Sequence, residues 1–166
     1  MSTALVILAA GMGTRMNSDL PKVLHKIAGA PLLVHAMKSG AAVEPEKLVI
    51  VAGHGAEAVT KAAQDWDPRA EVVIQAEQNG TGHAVLQARE VLRDFDGDVI
   101  VLYGDTPFIQ PETITRMAAA RGQHDVVVLG FEPTDPARYG RLLMRDGALD
   151  RIVEYKDASD EERTIT

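Results

Sequence analysis

A chain of 166 residues, 46% hydrophobic and 25% charged, has the balance of a soluble globular domain and is long enough to bury a sizeable core. Its formal charge of −7 argues against a general nucleic-acid binder, which needs a basic face. With no Cys there is neither a disulfide framework nor a thiolate zinc site, and the five His show no paired ligand spacing.

The chain opens with an apolar run, 4–10, long enough for one strand buried on both faces. No apolar run approaches the ~20 residues that span a membrane, and this first one is too short for a secretory signal. A cytoplasmic protein is expected. The run breaks at Gly11 and Gly13, which let the backbone come close to a ligand. Arg15 and the Pro21-Lys22 pair follow, so backbone N–H groups and two cations could together hold phosphates. The loop is neither a P-loop nor a dinucleotide fingerprint, because position 16 is Met where either would need Gly. On the glycines alone, a plain turn after the first strand of an α/β domain stays open.

Residues 31–43 place Leu33, Ala36, Met37 and Gly40 at helical spacing, with Pro31 suited to the first turn. A strand is predicted at 47–53, and then a helix at 56–66 with Val59, Ala62, Ala63 and Trp66 on one face. A third strand at 71–76 leads to an amphipathic helix at 82–95, ended by Asp96-Gly97. A fourth strand at 98–103, a helix at 111–122 and a fifth strand at 125–131 complete the alternation. Strands alternating with helices predict an α/β fold, a doubly wound and mostly parallel sheet covered on both faces. After Pro133 the pattern changes to two strands, 141–145 and 149–155, about an Asp146-Gly147 turn, which reads as an appended β-hairpin. The charged tail, 156–163, carries no core pattern and reads as solvated surface.

Ligands of open α/β sheets bind beyond the carboxyl ends of the strands, so those ends carry the candidate chemistry. Beyond the third strand, Gln75 and Gln78 offer amides that donate and accept at once, which suits the edge of a pyrimidine. Gly80-Thr81-Gly82 opens the next helix and could favour an anion there, although Thr81 equally suits an N-cap. Beyond the fourth strand, Asp105 could hold Mg²⁺ bound to a triphosphate, or could simply initiate a turn before Pro107. His83, on the amphipathic helix, reads as a packing or surface residue.

Several stretches, in this order, carry a resemblance: Leu8-Ala-Ala-Gly-Met-Gly-Thr-Arg-Met, Pro21-Lys-Val-Leu-His25, Ala28-Gly-Ala-Pro31, Gln75-Ala-Glu-Gln-Asn-Gly-Thr-Gly-His-Ala84, Tyr103-Gly-Asp-Thr-Pro107, Tyr139-Gly-Arg141 and Ile152-Val-Glu-Tyr-Lys-Asp157. Together they resemble the signature of sugar-1-phosphate nucleotidylyltransferases, and most closely the bacterial N-acetylglucosamine-1-phosphate uridylyltransferases. The resemblance implies a Rossmann-like nucleotidyltransferase fold and the substrates UTP and N-acetylglucosamine 1-phosphate, with Mg²⁺ as cofactor and no membrane or nucleic-acid partner. It implies that Leu8, Ala9, Ala10, Gly11, Gly13, Thr14, Lys22, Gln75, Gln78, Gly80 and Thr81 bind the nucleotide. It also implies Arg15 and Lys22 as the catalytic cations and Asp105 as a metal ligand, with Tyr103, Gly140 and Glu154 at the sugar phosphate.

Enzymes of this kind are normally the amino-terminal half of a bifunctional protein whose other half acetylates glucosamine 1-phosphate and forms trimers. Residues 1–166 are therefore expected to be a nucleotidyltransferase domain whose family pattern continues past Thr166, without the acetyltransferase β-helix. As a piece, the chain is expected to be monomeric, to bind UTP and to turn over poorly. An enzyme for another sugar 1-phosphate, or a non-catalytic nucleotide-binding module, is the alternative.

Overall fold

Alternation along the first strand divides the core into two layers. The computed structural model describes residues 2–11, 13 and 16–166. In β1 (Thr3–Ala9), Leu5, Ile7 and Ala9 point to one face and Val6 to the other, and all four are buried. Successive side chains of a strand face opposite ways, so a continuous apolar run is what a strand covered on both sides requires.

The chain forms two compact units, Met1–Val127 and Val128–Thr166, each described by itself. In the first, β1 is followed by a small ribbon of β2 (Lys26–Ile27) and β3 (Ala30–Pro31), then α1 (Leu32–Gly40), β4 (Lys47–Ala52), α2 (Ala56–Trp66), β5 (Glu71–Ile74), α3 (Thr81–Leu86), β6 (Asp98–Tyr103) and α4 (Pro111–Arg121). The sheet runs β5-β4-β1-β6 and every pairing in it is parallel, as the sequence alternation predicts. Leu33, Ala36 and Met37 of α1, Val59 and Ala63 of α2 and Ile114 of α4 pack on the Leu5–Ile7–Ala9 face. Ala84 of α3 and Ala88 just beyond it cover the opposite face. Among the described residues no helix is long and apolar enough to cross a membrane.

The chain leaves β1, forms β4 and β5 to one side, then crosses back to place β6 on the other side of β1. That reversal opens a crevice at the carboxyl ends of β1 and β6, where doubly wound sheets bind ligands.

Two predicted elements differ. The helix expected at 82–95 ends as an α-helix at Leu86 and tightens into a 3-10 turn, Gln87–Arg89. The Gln87 side-chain amide donates to the His83 carbonyl at 3.0 Å, the acceptor an α-helix would give to the Gln87 backbone N–H; that N–H turns to Ala84 instead. The strand expected at 125–131 does not form. Its β-branched residues gain from a strand only when packed against neighbours, yet Val126 is 74% and Phe131 64% exposed. β6 accordingly ends the sheet, with Val99, Val101 and Tyr103 exposed.

In the second unit β7 (Arg141–Arg145) and β8 (Ala148–Val153) form the expected antiparallel hairpin. Asp146 and Gly147 both have positive φ, 51° and 80°, the backbone that a two-residue turn between twisted strands demands. The tail expected to be solvated surface is exposed or half-exposed apart from Ala158, and within it the chain forms a helical turn, α5 (Asp160–Arg163), with no buried residue. Ser159 accepts from the Glu162 backbone while the Glu162 carboxylate accepts from Ser159, so each end of this box satisfies the other. Ala158 is buried before it, and the Arg163 guanidinium lies over the Tyr155 ring at 5.0 Å.

Candidate active site

Past their last ladder residues, β1, β5 and β6 border one cavity of about 270 Å³. Leu8, Ala10 and Gly11 of the first strand and its loop form one wall. Gln75, Gln78, Gly80 and Thr81 form another, and Tyr103 and Asp105 a third, with Lys22 beside Asp105. Val23 and Ala84 complete the lining; neither stands out in the sequence.

Lys22 reaches this cavity because the chain after β1 is packed against α2. Gly55, the residue before α2, has φ +69°, and a Cβ there would stand 2.5 Å from Pro21 Cγ. Gly13 is close to Lys22 in the same way: at φ +59°, a Cβ on it would meet Lys22 Cβ at 2.7 Å. Only glycine suits both the angle and the approach.

The Lys22 ammonium donates to Asp105 Oδ2 at 2.6 Å, across 83 residues of sequence. The two side chains are 39% and 32% exposed, so this is a hydrated pair at the cavity mouth and not a buried bridge. Gly104 sets its position by donating its N–H to Leu8 O at 2.9 Å, one step beyond the β1–β6 ladder.

The glutamines sit differently from one another. Gln78 Nε2 donates to Ala10 O at 2.8 Å, tying the segment after β5 to the end of β1. Gln75 is 5% exposed, and its Nε2 lies 3.2 Å from Gly80 O and 3.1 Å from His83 Nδ1. His83 does not line the cavity but stands behind Gln75, a placement that its sequence position obscured, since a lone histidine on an amphipathic helix carries no pattern of its own. Gly80, at φ +93°, is the N-cap of α3, and Thr81 is the first helical residue and makes no side-chain cap. The N-cap role open to Thr81 in the sequence is thus taken by a glycine.

Of the remaining sequence-predicted residues, Ala9 packs in the core at 1% exposure and does not line the cavity. Thr14 and Arg15 lie outside the described residues. Gly140 and Glu154 belong to the second unit, where a Cβ on Gly140 would lie 4.0 Å from Glu154 Oε2. The hairpin therefore brings these two together.

As a metal site the cavity offers one carboxylate. Among the described residues no group of three or more acidic or His side chains could cage an ion alone. A single, hydrated Asp beside a Lys suits a cation that arrives with phosphates and keeps most of its ligands from them.

Residues 5–165 match the family model of the MobA-like NTP transferase domain. The chain is 68% identical over 165 residues to the bifunctional protein GlmU of Ruegeria pomeroyi, covering 99% of this chain. It is 66% identical over 166 residues to GlmU of Ruegeria sp. strain TM1040. In both cases the chain spans 37% of the relative's length. Among solved structures, HddC from Yersinia pseudotuberculosis superposes with a TM-score of 0.72 at 24% identity, over 93% of this chain and 69% of that one. That likeness concerns the fold.

Proposed function

The chain belongs to the MobA-like NTP transferase domain family, and from that premise we propose that it transfers UMP from UTP to N-acetylglucosamine 1-phosphate. Pyrophosphate leaves and UDP-N-acetylglucosamine forms. The observation that carries the proposal is the meeting of Lys22 and Asp105 at 2.6 Å in the cavity that Gln75 and Gln78 also wall. A cation and a hard oxygen ligand stand at one end, and amides fit to read a base at the other.

In the proposed reaction a phosphate oxygen of the sugar phosphate attacks the α-phosphorus of UTP in line. Both reactants bring their own reacting atoms, so the protein need supply only position and charge. Lys22 exchanges its contact with Asp105 for phosphate oxygens and stabilises the negative charge that grows on them. Asp105, freed of Lys22, would hold Mg²⁺ with nucleotide phosphates as the other ligands; the ion when bound neutralises charge on the phosphates. Gln75 and Gln78 orient the base, Gly11 leaves open space for phosphate beside the backbone, and Tyr103 walls the cavity where the sugar phosphate enters. Gly140 and Glu154 are assigned to the acetamido sugar. Acetylation of glucosamine 1-phosphate is assigned to the part of the longer relatives that residues 1–166 do not span.

UTP-dependent release of pyrophosphate, measured with a panel of sugar 1-phosphates and with Mg²⁺, tests the proposal. N-acetylglucosamine 1-phosphate is expected to be the preferred acceptor. A preference for another sugar transfers the assignment to that sugar, and nucleotide binding without release under any acceptor refutes catalysis.

A further inference from the structure

His83 is not needed for the chemistry above, yet its ring touches the residue that faces the base. The carbonyl of Gly80 can only accept, so the Gln75 amide atom 3.2 Å from it is the nitrogen. The same nitrogen stands 3.1 Å from His83 Nδ1, which must then carry a lone pair and leave the ring proton on Nε2. Gln87 Nε2, which donates to His83 O at 3.0 Å, also stands 3.3 Å from His83 Nε2, but a neutral imidazole accepts at one ring nitrogen only, and the shorter Gln75 contact assigns that lone pair to Nδ1. Both Gln75 amide hydrogens are consumed inside the protein. Oε1 has no hydrogen-bond partner among the described residues and is not among the buried orphaned atoms.

We propose that His83 is a positioning residue for base selection: by accepting from Gln75 Nε2 it stops the amide from flipping, so that Gln75 offers the cavity an acceptor and never a donor. The inference rests on the nucleotide reading of this cavity. A ring N–H, such as N3–H of uracil or thymine, pairs with that acceptor. Cytosine in the same position presents the N3 lone pair to Oε1 and is repelled. A flipped amide would accommodate cytosine, but it would turn Oε1 against Gly80 O, leaving that carbonyl without its donor, and would require the His83 proton to move from Nε2 to Nδ1. A purely packing role for His83 predicts none of this selectivity.

The test compares His83→Leu, which removes the acceptor, with His83→Asn, whose Oδ1 occupies the place of Nδ1. Calorimetry with UTP and CTP on the full chain reads the preference. In ¹⁵N spectra of the protein without nucleotide, the His83 ring nitrogens report the tautomer, and the Gln75 NH₂ signals report the amide. His83→Leu is expected to lower the preference for UTP over CTP about tenfold, the worth of one hydrogen bond, and to shift the Gln75 NH₂ signals. His83→Asn is expected to stay within about twofold of the parent, by the same reasoning that it keeps the acceptor. A proton found on Nδ1 overturns the proposal. So does a parent preference that His83→Leu leaves intact, or one that His83→Asn loses equally. A parent chain that binds neither nucleotide overturns the uridylyl-transfer reading itself, a result the tautomer measurement does not depend on.

Discussion

Replacing Lys22 by Ala separates a phosphate-binding role from a structural one, because the substitution keeps the packing and removes the charge. The packing contact with Gly13 is made through Lys22 Cβ, which Ala retains, and the Lys22 carbonyl still accepts from the His25 N–H. What disappears is an ion pair whose members are 39% and 32% exposed. Pairs so hydrated are worth about 0–1 kcal/mol, so the unfolding free energy should fall by no more than that. Turnover should fall much further, by roughly 3–4 kcal/mol or 10²–10³-fold, as when one charge-stabilising donor is lost from an active site. A third effect has the opposite sign. With Lys22 gone, Asp105 Oδ2 loses its competing cation, so the nucleotide-free protein should bind Mg²⁺ more tightly. Two unit charges 4 Å apart interact by about 1 kcal/mol in water and about 4 kcal/mol near a protein surface, so a gain of at least several-fold is expected. Pyrophosphate release, urea unfolding and Mg²⁺ calorimetry on the same preparation read the three quantities. A rate within about tenfold of the parent, or a stability loss above about 2 kcal/mol, refutes the assigned role.

Asp105→Asn keeps the shape of the cavity mouth and removes its one carboxylate, so nucleotide binding should lose its dependence on Mg²⁺; a titration matching the parent would make Asp105 a turn residue only. Gly55→Ala adds a Cβ 2.5 Å from Pro21 Cγ at φ +69° and should cost about 2–4 kcal/mol of stability, from left-handed strain plus overpacking; an unfolding midpoint equal to the parent's would contradict the close approach. The Asp67 carboxyl is held below the usual carboxylate range, chiefly by the side-chain hydrogen bond from Arg69 and then by the Arg69 backbone N–H. A depressed folded-state pKa contributes stability that is present above the unfolded value and lost as pH falls through the folded one. Asp67→Asn should therefore lower stability at neutral pH and flatten the acid limb of the stability profile; a parallel acid limb would remove Asp67 from the account.

Elements whose formation depends on local pattern were readable from sequence. Helix α2 has apolar residues at Val59, Ala62, Ala63 and Trp66 and starts and stops where that pattern does. The turn at Asp146-Gly147 is written in two residues that tolerate positive φ. Residues 125–131 carry the composition of a strand, but a strand is a pairing, and composition does not say whether an edge is there to receive it. The break of the helix after Leu86 coincides with one side-chain amide donating to one carbonyl, a contact that leaves the apolar period undisturbed. Within the candidate site the same division holds. Gly11, Gly13, Lys22, Gln75 and Asp105 stand out because strand ends in such sheets are where ligands bind, whereas the Lys22–Asp105 contact and the His83–Gln75 contact are facts of tertiary approach.

That approach has a simple origin. Three backbone or amide hydrogen bonds extend the sheet beyond its strands, each ending at a residue next to or within the cavity. Gly104 N–H donates to Leu8 O, Gln75 N–H donates to Ala52 O at 2.8 Å, and Gln78 Nε2 donates to Ala10 O. The first fixes Asp105, the second Gln75, and the third the loop between them and β1. All three are referred to β1 or its neighbour β4, the two strands most fully buried in the sheet. A rigid pair of strands thus sets the spacing between the charged end of the cavity and its amide end. The side chains that meet substrate need only be ordered relative to that frame, which is why the polar residues here can stay partly hydrated and still be placed for chemistry.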